Sequence, residues 1–148
     1  MSPSEIESAY EDQSPERAWA VLEPLAMAGD PLAQFYMGHL CDEKSPSLRP
    51  QALEWYRKAS AGGHLEATHW LASFIYHGFG TTPDTDAALA LFRHCAERGV
   101  DSSQWKLGQH LLSHPESSAE AEVWLKKAAL QGHSGAIDLL KSIGKYDA

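Results

Sequence analysis

The chain has 148 residues, 43% of them hydrophobic and 22% charged, with twelve Lys and Arg against twenty Asp and Glu. That balance belongs to a globular chain with enough core to fold as one domain, not to a disordered segment. The net charge of −8 disfavours nucleic acid, whose phosphates need a basic stripe, and no apolar run is long enough to span a membrane.

Charge is unevenly placed. Glu5, Glu7, Glu11, Asp12 and Glu16 precede the first base, Arg17, while the remaining fifteen acids and twelve bases leave only −3. Two readings fit: an acidic patch for a basic partner, or solvated first turns with carboxylates near helix N-termini. The opening Met-Ser-Pro-Ser-Glu is no secretory leader, so with Met1 as the native start the chain is expected in the cytoplasm. A leader trimmed beforehand would leave the same sequence.

In chain order, Ile6 and Tyr10 stand four apart and share one face of a short first helix. Ser14-Pro15-Glu16 begins a second helix, with Ser14 as N-cap and Pro15 in the first helical position. Pro24 falls inside that helix, removes a hydrogen bond and should kink it, which marks residues 1–30 as an atypical terminal cap.

From there a repeat emerges. Its first half reads AWAVLEPLAMAG from Ala18, ALEWYRKASAGG from Ala52, ALALFRHCAERG from Ala88 and AEVWLKKAALQG from Ala121. Bulky apolar residues three and four positions on, with small or apolar ones at seven and eight, mark one face of a helix, closed by a glycine at eleven. The second half recurs as AQFYMG from Ala33, ATHWLA from Ala67, SQWKLG from Ser103 and AIDLLK from Ala136. Both halves recur at intervals of 34, 36 and 33, and each first half leads its second half by 15. All length variation therefore sits between a second half and the next first half, where surface loops tolerate it. Ser117 and Glu120 have the spacing of a capping box for the fourth first-half helix. The last helix, about Ser134 to Ile143, places Ile137, Leu140 and Ile143 on one face against the preceding pair. It either caps the stack or offers an edge for dimerisation; the cap, and a monomer, is the expectation.

A period near 34 with two amphipathic helices per unit is the signature of an α-solenoid. EWYRKASAGG at Glu54–Gly63, VWLKKAALQGH at Val123–His133, and LASFIYHGFG at Leu71–Gly80 with Asp84 resemble the Sel-one-like repeat, a relative of the tetratricopeptide repeat. The resemblance covers roughly Arg17 to Ile143, with the paired loop glycines kept only at Gly78 and Gly80. It implies an all-α, right-handed solenoid of eight or nine helices. Three full repeats would occupy residues 31–133, and residues 134–148 would form a C-terminal capping helix. It also implies a non-catalytic protein-interaction module, an adaptor or scaffold, with a protein or peptide partner. A bacterial immunity protein that occludes a toxin is the alternative use.

Within this frame Cys41 and Cys95 fall at core positions and read as buried thiols, not a disulfide; no cysteine ladder is present, as fits a reducing compartment. His64 and His133 occupy equivalent helix-start positions. His110 and His114 are four apart and could share zinc, the basis of an alternative metal-dependent enzyme. Pro115 biases His114 away from helical geometry, however, and no third ligand lies at metal spacing. No nucleophile motif or phosphate-cradling loop is present, so neither enzyme activity nor a cofactor is expected.

The second-half helices line the concave side of such a stack, with their third, seventh and tenth positions facing inward. Those are Phe35, His69 and Trp105; His39, Ser73 and Gln109; and Asp42, Tyr76 and Leu112. Aromatics among polar neighbours have the character of a binding hot spot. Phe35 has a second reading, as ordinary packing at a position commonly Tyr in the family. Trp55 and Trp124 are expected to fill the layer between helices.

Overall fold

The computed structural model describes residues 1–12 and 14–147, and among them every regular element is helical. Nine α-helices follow one another: α1 Pro3–Glu11, α2 Pro15–Met27, α3 Pro31–Lys44, α4 Arg49–Ala61, α5 Leu65–His77, α6 Thr85–Glu97, α7 Asp101–Leu112, α8 Ser118–Leu130 and α9 Ser134–Ser142. Short 3-10 turns at Pro46–Leu48 and Pro115–Ser117 lead into α4 and α8. The chain divides into two compact units, Met1–Ala88 and Leu89–Ala148, each described by itself.

The same corner closes every first-half helix. Gly29, Gly63, Gly99 and Gly132 take φ of 102°, 89°, 89° and 85°, a left-handed conformation that side chains with a Cβ resist. The amide three residues beyond each helix then reaches back to its last turn. Asp30 donates to the Leu25 carbonyl, His64 to Ala59, Val100 to Cys95 and His133 to Ala128, all at 3.0–3.1 Å. This is a six-to-one closure that satisfies helix-end carbonyls. The donor residue immediately starts the next helix: the side chains of Asp30, His64 and His133 accept the amides of Ala33, Ala67 and Ala136. The two histidines thus take the helix-start role read from the sequence.

In the first unit the core joins Ile6 and Ala9 of α1 to Leu22 and Ala26 of α2 and to Met37 and Leu40 of α3. In the second, Ala96, Leu107 and Trp124 form one cluster, and Leu125, Ala128, Ala136 and Leu140 form another. Buried Gln34 and Gln104, equivalent in the repeat, each donate to the last-turn carbonyl of the preceding helix, Ala26 and Ala96, at 3.1 Å. Cys41 and Cys95 are buried and form no disulfide with each other, and burial pushes the Cys41 thiol up to about 11.

Two local expectations need correction. The Ser117–Glu120 capping box does not form. Ser117 enters from a 3-10 turn with φ −104° and ψ 6°, outside the extended range an N-cap uses, and makes no side-chain cap. The Glu120 carboxylate instead accepts from Arg93 and from the Trp124 indole. Ile143 lies past the end of α9 and is 39% exposed; Ala136 and Leu140 bury the helix face, with Leu139 and Tyr146 packed beside them. α2 runs through Pro24 to Met27, and Ser14 caps it as expected.

Helices approach closely where a second-half helix carries glycine. A Cβ on Gly38 would lie 2.7 Å from Tyr56 Cδ1 and closer still to Cε1, and one on Gly108 would meet Leu125 Cγ at 2.7 Å. Alanine improves helix propensity by about 1 kcal/mol, but overpacking a fixed core costs about 1–3 kcal/mol. Because Tyr56 is fully buried, the clash should win: Gly38→Ala is expected to lower stability by about 1–2 kcal/mol, read from the urea midpoint. Trp124→Ala, which empties a buried indole site, should cost more, about 3–5 kcal/mol in the same measurement.

Candidate functional site

In the first unit, α1, α3 and α5 set a row of rings side by side. Tyr10 of α1 stacks on Tyr36 of α3 with centroids 4.6 Å apart. One turn further along α3, His39 meets Trp70 of α5 edge-on at 5.0 Å. Buried Tyr56 of α4 lies beneath, its hydroxyl 2.7 Å from His39 Nδ1. Trp70 keeps 37% of its surface exposed, the largest share of any Phe, Trp or Tyr among the described residues.

Carboxylates flank this row. Tyr10 donates its hydroxyl to Glu43. Burial raises the Tyr36 phenol above its ordinary range, and the nearby charges of Glu7, Glu11 and Glu66 raise it further. Burial lowers the basicity of His39 more than Glu43 and Asp42 restore it. Asp42 is itself engaged, 3.0 Å from Arg49 Nε. The row therefore presents neutral rings, with phenols that stay protonated, in a negative surround.

Of the residues expected on the inner surface, Phe35 is a correction. Only 4% exposed, it stacks on His64 at 4.6 Å and meets His39 edge-on at 4.4 Å. Its equivalent Trp105 does the same in the second unit, stacking on His133 at 4.9 Å with its indole nitrogen buried and lacking a hydrogen-bond partner. In α3 and α7 the third-position ring thus leans on the histidine that starts the next second-half helix and serves packing between repeats; for His69 of α5 the equivalent corner residue is Val100, not a histidine. His39 and His69 do join the row, His69 lying 6.0 Å from Trp70. Ser73 and Tyr76 are half-buried on α5, with Tyr76 beside His77 at 5.2 Å. In the second unit Gln109 is exposed, while Leu112 packs against the Leu125–Leu140 cluster.

The inner-surface reading missed Tyr10, Tyr36 and Trp70. A signal existed: Tyr36 and Trp70 hold the same fourth position of successive repeats, 34 residues apart. His110 and His114 bring their rings to 5.1 Å, but α7 ends at Leu112 and His114 is extended, with φ −119° and ψ 107°. Among the described residues no three His, Cys, Asp or Glu side chains gather as a metal site, and no helix is long and apolar enough to cross a membrane.

The repeat pattern matches the Sel1 repeat over residues 31–64, 65–100 and 101–133. With those three matches covering more than half of its length, the chain belongs to the Sel1 repeat family, and its fold is an all-α solenoid of helix–turn–helix repeats. Proteins of this family are generally non-catalytic protein-interaction scaffolds. A relative in Neisseria meningitidis serogroup B, the uncharacterized protein NMB1327, is 30% identical over 126 residues. The match takes in 83% of this chain and 26% of that protein. The fold is similar to the crystal structure of a Sel1 repeat protein from Oxalobacter formigenes, with a TM-score of 0.81 and 24% identity over 97% of this chain and 62% of that one. It is equally similar to c5321, a protective antigen of uropathogenic Escherichia coli with an SLR fold. There the TM-score is 0.81 and the identity 24%, over 99% of this chain and 33% of that one. The chain thus spans about a quarter to just under two thirds of these relatives' lengths.

The geometry of His39 and His64 makes stability depend on pH. Burial is the leading cause that depresses both imidazoles below their ordinary value of 6.5. Folding therefore favours the neutral form, and the unfolded chain binds more protons at mildly acidic pH. Their contribution is complete above pH 6.5 and lost as pH falls from there toward their lowered values. Thermal unfolding should thus shift downward between pH 7 and about 5. His64→Asn, which can still cap α5 but does not titrate there, should flatten part of that slope.

Proposed function

We propose that this chain is a non-catalytic protein-binding module, an adaptor or scaffold. Its partner would dock on the ring-lined face of α1, α3 and α5. The observation that carries this reading is the continuous row Tyr10–Tyr36–His39–Trp70, assembled from three helices and ending in an indole that is 37% exposed. Partly exposed Trp and Tyr supply large contact area at small entropic cost, which is why they dominate binding hot spots. His69, Ser73 and Tyr76 extend the face along α5, and Asp42 and Glu43 stand at its rim. Gln109, together with the half-buried Trp105 and Leu112, marks the corresponding helix face of the second unit.

In this reading all 148 residues act as one module. Residues 1–30 cap the first end, residues 31–133 form the repeats, and residues 134–148 cap the other end. The partner is a protein or peptide, the module works as a monomer in the cytoplasm, and it needs no cofactor. Any role of a longer, relative-sized protein falls under the same proposal.

Affinity capture with the wild-type chain and with Trp70→Ala as parallel baits tests the face. Trp70 is partly exposed, so the variant should fold with an unchanged circular dichroism spectrum. Specific proteins retained by the wild type should be depleted by about tenfold or more on the variant, as expected when a hot-spot indole contributing about 1.4 kcal/mol or more is removed. Equal recovery on both baits would rule out this face as the docking surface.

A further inference from the structure

A second concavity, which shares Glu43 with the rim of the ring-lined face, opens between α2 and the C-terminal half of α3. It encloses about 570 Å³ and is lined by Pro15, Trp19, Ala20 and Leu40 together with Glu16, Glu23, Glu43 and Lys44. Trp19 is half-buried against the first core cluster and is held by its own helix, its indole nitrogen donating to Glu23 Oε2 at 2.8 Å. That bond ties down the ring edge. Over the ring stands a cation already: Lys44 Nζ lies 5.1 Å from the Trp19 centroid.

Three features of this groove specify one kind of occupant. The indole face attracts a cation, and the chain's own ammonium demonstrates it. Glu16, Glu23 and Glu43 place three carboxylates around a hollow whose one base among the described lining residues is Lys44. Pro15, Ala20 and Leu40 add apolar wall, which suits a long aliphatic stem that ends in charge. The volume lies within the ~300–1,000 Å³ of ligand pockets, well beyond what a lone ammonium needs, so an anchoring side chain with its neighbouring backbone is the fitting size. A guanidinium meets these demands best, because its plane stacks on an indole while its edge donates to carboxylates.

We propose that this groove binds an arginine- or lysine-bearing segment of a protein partner, and that Lys44 holds the cation's place in the free chain. Lys44 is the exposed last residue of α3, so it can swing away at the cost of its contact with Trp19, which the incoming cation restores. The incoming cation then replaces it over Trp19, between Glu16 and Glu23. The partner's basic charge follows from the groove alone and does not depend on the ring-lined face.

The test uses the full chain and a fluorescein-labelled peptide, Gly-Ser-Arg-Leu-Arg-Ser-Gly, with a twin in which citrulline replaces both arginines. Citrulline keeps the shape and removes the charge. Anisotropy titration should show the arginine peptide binding about tenfold or more tightly than its twin. Amide NMR shifts should move at Glu16, Ala20, Glu23 and Lys44. Lys44→Ala, at an exposed site, should tighten binding about threefold or more by removing the resident cation, while the double variant Glu16→Gln, Glu23→Gln should weaken it about tenfold. Three results would overturn the proposal: equal binding of the two peptides, an unchanged or weakened Lys44→Ala, or shifts confined to α5. Shifts on α5 would still be compatible with the ring-lined face, and a silent Trp70→Ala capture would leave the groove untouched, so the two readings fail separately.

Discussion

Everything in this fold follows from the corner that closes each first-half helix. A left-handed glycine and a six-to-one hydrogen bond fix the exit direction of the chain, and the residue that donates the bond begins the next helix. Little freedom remains between the two helices of a pair, so a residue's place in the repeat decides its surroundings. The equivalences within each unit show it. Gln34 binds Ala26 as Gln104 binds Ala96, and Gly38 lies against Tyr56 as Gly108 lies against Leu125. The spacing of 15 between half-repeats is the mark this rigidity leaves in the sequence.

The corner also decides which aromatics reach solvent. His64 and His133 lie at the corner, and each spends its Nδ1 on capping the helix it begins. Their ring faces remain available, and the third-position aromatics Phe35 and Trp105 stack on them. Those contacts turn large rings into mortar between successive turns of the stack. The fourth position, one residue on and about 100° round the helix, escapes this and carries Tyr36 and Trp70 to the surface row. A single residue of offset thus separates packing from display.

This explains what could be read in advance. The repeat period, the glycine corners, the histidine helix starts, the buried cysteines and the extended His114 were legible because each rests on local spacing or backbone preference. The open face was legible only as a helix type. Assigning its individual positions required knowing that His64 covers Phe35, a contact between residues 29 apart in sequence. The Ser117–Glu120 pair misled for a related reason. Its spacing is right, but Arg93 from the preceding first-half helix and Trp124 one turn on claim the carboxylate, and the 3-10 entry disarms the serine. Local motifs lose when a stronger donor arrives from another element.

Charge is sorted by the same logic. On the first-half helices, Lys58 lies over Trp55 and Lys127 over Trp124, each cation three residues beyond its indole and equivalent in the repeat. Lys58 and Lys127 are thereby committed to the helix type that carries Trp55 and Trp124. In the first unit the other type keeps Glu5, Glu7 and Glu11 on α1, Asp42 and Glu43 on α3, and Glu66 on α5, against Lys44 as their one base. Segregation of this kind costs some repulsion between like charges and contributes nothing to the core. It sets the field in which the Tyr10–Trp70 row and the Trp19 groove both lie. Burial, and after it that field, keeps the Tyr36 phenol protonated, and the field favours cations at both places. An acidic surround on aromatic surface is a statement about what approaches, and it is written into the helices that the corner leaves uncovered.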